Sequence, residues 1–285
     1  MNKFFVLFLI VLTTGCAPKI RTTVLSPSRS NRPIRFDQPF AVIEKDTVDF
    51  SSEQLLGTVE IKDNGLSIHC QYEKVMAKAK QEALKMGGNC LVLTKHVAPN
   101  VWSSCDHIKA NIYAIKNPRK YELKIFWSPD RKLAIADFKG SVENRPFLAA
   151  TGSGFEFEIK PHGIAGRYKI EVFTYFDCKA SYFKRSKQDS VTLVHEQVHF
   201  DISELYARKF IMRMQQEADS FRKAMAIHQQ VMEDITREMQ VKQDEYDAEI
   251  YPDRSKQTKW STWIKEELDK TKALADKRLT SPKTR

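Results

Sequence analysis

Across residues 189–239 the chain contains neither glycine nor proline, and apolar residues recur at helical spacing. A stretch this long without the two helix-breaking residues reads as long helix. The segments before it differ in kind. Residues 122–127, 155–159 and 168–175 read as strands, set apart by Ser128-Pro129-Asp130 and Pro161-His162-Gly163 turns. Strands first and long helices after give an α+β layout for this half of the chain.

The helical block carries His195-Glu196-Gln197-Val198-His199. Asp189 or Ser190 can cap its start, and Val191, Val194, Val198, Ile202 and Leu205 offer a face to bury against the sheet. Residues 195 and 199 are four apart, so both imidazoles project from one side, about one turn from each other. That spacing suits two ligands of a single tetrahedral Zn2+. Glu196 is rotated off that side, where it can take a proton from water at the metal rather than bind it.

A catalytic zinc needs a third protein ligand. Glu217 and Asp219 are carboxylates downstream, but continuous helix would carry Asp219 about 30 Å from His199. If the chain turns near residues 217–220 and returns as a helix from Phe221, then Tyr246, Asp247 and Glu249 come back to the histidines. Asp247 is the first choice for the ligand, with Glu249 and Asp253 behind it. Tyr246 fits a packed aromatic better than an oxyanion donor.

The N-terminal end sets the compartment. Lys3 precedes an apolar run over residues 4–12, too short for a stable membrane span and suited to a removable export signal over residues 1–15. Thr13-Thr14-Gly15-Cys16 resembles the lipobox of bacterial lipoproteins, with the usual Leu one place early at Leu12; the resemblance implies lipidation of Cys16. Residues 17–36 hold no acidic residue but five basic ones, with Pro18, Pro27 and Pro33, so residues 16–39 read as a flexible basic tether beside a lipid anchor. Part of the net charge of +10 sits there. In an exported, lipidated chain such charge either lies against headgroups or is merely solvated, and does not point to nucleic acid. Ala17 after Cys16 leans towards the outer membrane over the inner.

Residues 40–116 read as a small α/β domain: strands at 40–43 and 55–61, a helix over 72–86 ended by Gly87-Gly88, and a hairpin of 89–97 with 107–115. Export permits disulfides, and Cys70, Cys90, Cys105 and Cys178 allow three full pairings. The helix start and the hairpin loop fall at the same end of this domain, which pairs Cys70 with Cys105 and leaves Cys90 free and buried at the other end. His69, His96 and His107 match no zinc-ligand spacing and read as structural. Asn117-Pro118-Arg119 marks the boundary to a second domain over 119–275, followed by a tail over 276–285.

The residues beyond the histidines, Phe200-Asp201-Ile202-Ser203-Glu204-Leu205-Tyr206-Ala207-Arg208, extend the motif. With Ala136-Asp137-Phe138-Lys139-Gly140 and Phe176-Asp177-Cys178-Lys179-Ala180-Ser181-Tyr182, they make residues 120–265 resemble a family of bacterial secreted proteins described as zinc-dependent proteases. The resemblance implies a zincin-like domain and peptide hydrolysis. Family members carry Tyr-Asp-x-x-Thr-x-His, then Gln and Trp. This chain has Tyr246 and Asp247, Ile250 and Pro252 in place of the Thr and His, then Gln257 and Trp260. The expectation is a lipid-anchored zinc metallopeptidase of the cell envelope acting on peptide or protein substrates. The alternative is a non-catalytic envelope lipoprotein that binds a partner through residues 40–116.

Overall fold

A computed structural model describes residues 18–25, 38–44, 48–62, 72–100, 103, 105–163, 166–184 and 190–281. The signal, Cys16, Cys70, His69 and Asp189 lie outside the described residues. The fold is mixed α+β, a sheet domain followed by long helices. The chain divides between Tyr121 and Glu122, slightly beyond the Asn117-Pro118-Arg119 boundary. Residues Pro118–Tyr121 form a 3-10 turn, and Tyr121 packs its ring against Phe50 in the first unit.

In the first unit, strands β1 (Lys19–Val24), β2 (Ala41–Ile43), β3 (Gln54–Lys62), β4 (Cys90–Val97) and β5 (His107–Ala114) form a sheet of order β1-β3-β5-β4-β2 among the described residues. β2 runs parallel to β4, and the other pairs are antiparallel. Helix α1 (Tyr72–Lys85) lays Val75, Ala79 and Ala83 on Leu56, Val59, Ile61 and Ile112 of the sheet. It ends in a Schellman turn: Gly87 takes φ +78°, and the amides of Gly88 and Gly87 reach the carbonyls of Ala83 and Leu84 at 2.8 and 3.1 Å. The expected tether is corrected at β1. Residues Lys19–Val24 pair along β3 from Lys62 to Gly57, because the β-branched run Ile20, Thr22, Thr23, Val24 suits an edge strand even with every side chain exposed.

The second unit is built on β9 (Arg167–Asp177), which pairs with β8 (Ser153–His162) on one side and with β6 (Lys124–Phe126) and β11 (Arg278–Thr280) on the other. Short strands β7 (Ala149–Ala150) and β10 (Tyr182–Phe183) pair beside it. Helices α2 (Ser190–Glu217), α3 (Phe221–Ile250) and α4 (Gln257–Lys270) follow. Helix α2 lies between the sheet and the other two helices. Val198, Ile202, Leu205 and Phe210 are buried with Phe155, Ile170 and Val172 of the sheet, Ile235 of α3 and Ile264 of α4. Val191 and Val194, expected on the same face, are each 43% exposed, since the core that receives this face begins only at Val198.

The tail expected over 276–285 is corrected as far as Ser281, the last of the described residues. Leu279 packs against the core, Lys277 is buried, and Ser281 Oγ accepts the amide of Tyr168 at 2.9 Å. An amphipathic three-residue strand anchored by one buried cation is enough to tie these residues to β9. Among the described residues no helix is long and apolar enough to cross a membrane.

Candidate metal centre

Ser220 caps α3 by accepting the amide of Lys223 at 3.3 Å, so the chain reverses at the end of α2. Two helices of 28 and 30 residues then run antiparallel. His195 and His199, in the first turns of α2, therefore meet the last turn of α3, where Asp247 stands.

Their three donor atoms converge. The Nε2 atoms of His195 and His199 are 3.1 Å apart, and Asp247 Oδ1 lies 3.2 Å from the first and 3.0 Å from the second. A tetrahedral ion with bonds of ~2.0 Å spaces its ligands ~3.3 Å apart, close to this triangle. The oxygen's hydrogen bonding gives the test. Asp247 Oδ1 is buried and within ion-pair distance of both rings, yet takes no hydrogen bond of acceptable geometry from either. Donors built around a common centre behave this way; donors built to satisfy each other do not. His195, His199 and Asp247 thus form a group that could hold a metal ion.

The next layer fixes these groups. His199 Nδ1 lies against Gln243 Oε1, and Gln243 Nε2 donates to the His199 carbonyl at 3.0 Å. A proton on Nδ1 leaves the Nε2 lone pair for an ion. His195 Nδ1 is buried without a hydrogen-bond partner; this ring is held by stacking on Tyr246, with centroids 4.7 Å apart and planes at 22°. Tyr246 is fully buried and gives its hydroxyl proton to Gln257 Oε1 at 2.8 Å. It is a wall of the site, as the sequence favoured. Trp260 backs that wall at 5.1 Å.

Electrostatics follow from burial. Burial opposes charge on His199, but the Asp247 carboxylate beside it, with Glu196 and Gln243 adding, outweighs burial and raises the imidazole. Burial would likewise raise Asp247, yet the two imidazoles hold its carboxyl well below the usual range. Glu196 goes the other way. Its side chain is almost fully buried, and burial lifts its pKa despite His199, a hydrogen bond from Thr151 and His195. Thr151 Oγ1 donates to Glu196 Oε2 at 2.7 Å.

The other carboxylates considered for the metal are engaged elsewhere. Glu249 accepts from Lys259 Nζ at 3.1 Å and Trp260 Nε1 at 3.2 Å. Asp253 caps the turn at Arg254–Lys256 by accepting the amide of Ser255 at 3.0 Å. In the first unit, His96 pairs with Asp106 at 2.6 Å and His107 with Ser103 at 3.2 Å. Cys105 is disulfide-bonded, and its expected partner Cys70 lies outside the described residues. Cys90 and Cys178 are free and buried.

The motif residues beyond the histidines build the frame. Asp201 Oδ1 accepts from Trp127 Nε1 at 2.7 Å and Gln197 Nε2 at 2.8 Å. Glu204, fully buried, accepts from Arg208 Nε at 2.8 Å, Thr174 Oγ1 at 2.7 Å and Lys277 Nζ at 2.8 Å. The Asp137 segment is clamped too: Arg131 holds Asp137 with two hydrogen bonds of 2.9 and 3.0 Å. The Gly140 amide reaches the Ser181 carbonyl at 2.8 Å, where a Cβ would sit 2.6 Å from the Lys179 oxygen. Ser181 Oγ in turn accepts the Gly152 amide at 2.8 Å. These two segments therefore end at Thr151, the residue that holds Glu196.

Sequence reasoning missed Gln243 and Thr151. Gln243 lies one turn before Asp247 on the same helix face, a spacing that could have revealed it. Thr151 comes from a short strand with no periodic signature. Comparison with known proteins finds no matching family model, no matching curated protein and no matching solved structure.

Proposed function

We propose that the chain is a zinc-dependent hydrolase of peptide bonds. The observation that carries this reading is the triangle of His195 Nε2, His199 Nε2 and Asp247 Oδ1 beside a buried glutamate. Two imidazoles and one carboxylate are a donor set suited to zinc, and three protein donors leave one tetrahedral position for water or substrate. When bound, zinc supplies Lewis acidity, polarising a carbonyl and making a water acidic at neutral pH.

The chain's own residues do the rest. His195 and His199 bind through Nε2, and Gln243 keeps the His199 proton on Nδ1. Thr151 occupies Glu196 Oε2, which leaves Oε1 to take the proton from the attacking water and hand it to the leaving amine. A carboxyl raised by burial suits both steps, because it holds a proton more readily than an exposed glutamate and can still pass it on. Tyr246 excludes water behind His195. The envelope location and lipid anchor rest on residues 1–16 alone, and the zinc-protease family on the resemblance of residues 120–265.

The alternative, a non-catalytic lipoprotein, draws its support from Pro252 standing where the resembled family has His. Asp247 makes a third donor without that position.

Metal analysis and turnover test the reading. The purified protein should hold about one zinc per chain. Asp247→Asn should lose the zinc, and Glu196→Gln should keep it while losing cleavage of a broad peptide library. Cleavage by the Glu196→Gln protein at the parent's rate would sink the mechanism.

A further inference from the structure

Two aromatic rings stand exposed beside the metal group. Phe147 is 51% exposed and Tyr251 is 56% exposed, yet they stack on each other with centroids 5.7 Å apart and planes at 16°. Tyr251 follows directly on α3, four residues past Asp247, and its ring also meets the ring of His195 at 5.8 Å. The pair is thus continuous with the metal ligands. Tyr246, behind His195, is fully buried. Tyr251 and Phe147 face outward instead, and large adjoining apolar surfaces at a site's mouth mark what the site binds.

The segment bearing Phe147 is pinned at its base. Lys184 Nζ donates to the Arg145 carbonyl at 2.6 Å, and the Arg145 guanidinium lies over the Tyr182 ring at 5.2 Å. These contacts place a fixed positive charge two residues from Phe147. A cationic guest would meet Arg145. The two exposed rings themselves offer apolar surface and no charge, so the pair suits a neutral apolar guest.

We propose that Phe147 and Tyr251 form a binding platform for an aromatic or large aliphatic side chain flanking the scissile bond, which makes this a site for peptides carrying such residues. The proposal rests on the peptide-hydrolase reading given above. A flat ring laid on the pair removes apolar surface from water on both partners, enough for roughly a tenfold gain in affinity over alanine.

The test measures binding and cleavage separately. The zinc-loaded full chain carrying Glu196→Gln is titrated by fluorescence anisotropy with matched peptides that hold Phe, Leu, Ala, Lys or Glu at one position. The Phe and Leu peptides should bind about tenfold more tightly than the other three. Adding Phe147→Ala or Tyr251→Ala should erase that difference, whereas Tyr251→Phe should keep it because the ring is the agent. Equal binding across the set, no binding, a preference for Lys or Glu, or loss of discrimination in Tyr251→Phe would each overturn the platform. Parallel cleavage assays with the parent chain separate the two ideas. Cleavage without an apolar preference removes the platform and leaves the hydrolase. An apolar preference in binding without any cleavage keeps the platform and removes the hydrolase.

Discussion

In the proposed zinc site the two ring nitrogens of His199 have different tasks, and Gln243, against Nδ1, sets the division. Replacing Gln243 by Leu should weaken zinc binding by about 10- to 100-fold, the usual effect of removing such a support. Gln243→Glu, which still accepts from Nδ1, should stay near the parent. Competition with a chromophoric chelator reads both, and equal affinity for all three proteins would remove Gln243 from the metal's support. The free thiols give a second test. Burial pushes Cys90 up to about 12, with Glu53 adding, and Cys178 up to about 12, with Lys139 opposing. An unfolded thiol ionises near 8.5, so above about that pH the unfolded chain sheds protons the folded chain retains, and stability falls as pH rises. Alkylation at about pH 8 should leave both thiols unlabelled in the native protein and modify both in denaturant; rapid native labelling would contradict their burial. His195, Glu196 and His199 were legible because a single helix fixes their spacing. Asp247 was legible because helix length can be counted. Thr151 was not, since only the tertiary meeting of β7 with α2 brings it to Glu196.

Among the elements, α2 is unusual in burying charge. Glu204, Arg208 and Lys277 are buried together, and removing one member strands the others. Glu204→Ala should therefore cost about 3–5 kcal/mol, read from the shift in urea midpoint at unchanged slope; a loss under 1 kcal/mol would mean water already reaches the group. The C-terminal end of α2 is finished by Tyr168, whose hydroxyl lies 3.0 Å from the carbonyls of both Met214 and Ala218, covering groups a helix end leaves unpaired. Helix α2, buried all round from Phe200 to Arg208, was legible from its length without glycine or proline, whereas α3 could be read from periodicity because it alternates a packed and a wet face. Strands β1 and β11 could not. Periodicity reports burial, β1 has none, and β11 has only three residues, one of them packed.

For the whole molecule, every donor and support of the metal group belongs to residues 122–285, one of the two compact units. That unit expressed alone should fold and bind about one zinc per chain, as followed by circular dichroism and metal analysis. An unfolded fragment, or one without metal, would mean that residues 1–121 help to form the site. The α+β layout was legible at this scale because turn-punctuated segments give way abruptly to a block without glycine or proline.

The strand at Arg278–Thr280, with Lys277 just before it, bears on the order in which the protein is made. A chain emerging from its N-terminal end presents Glu204 and Arg208 more than sixty residues before Lys277 and β11 arrive. Until then the interior of α2 holds a carboxylate short of one cation, and β9 has an open stretch along Lys169–Glu171. The packing around α2 and β9 is complete only once Lys277 and β11 have joined it. Asp247 emerges thirty residues before Lys277, so the candidate metal group has all three of its residues before the pairing that anchors its helix is made.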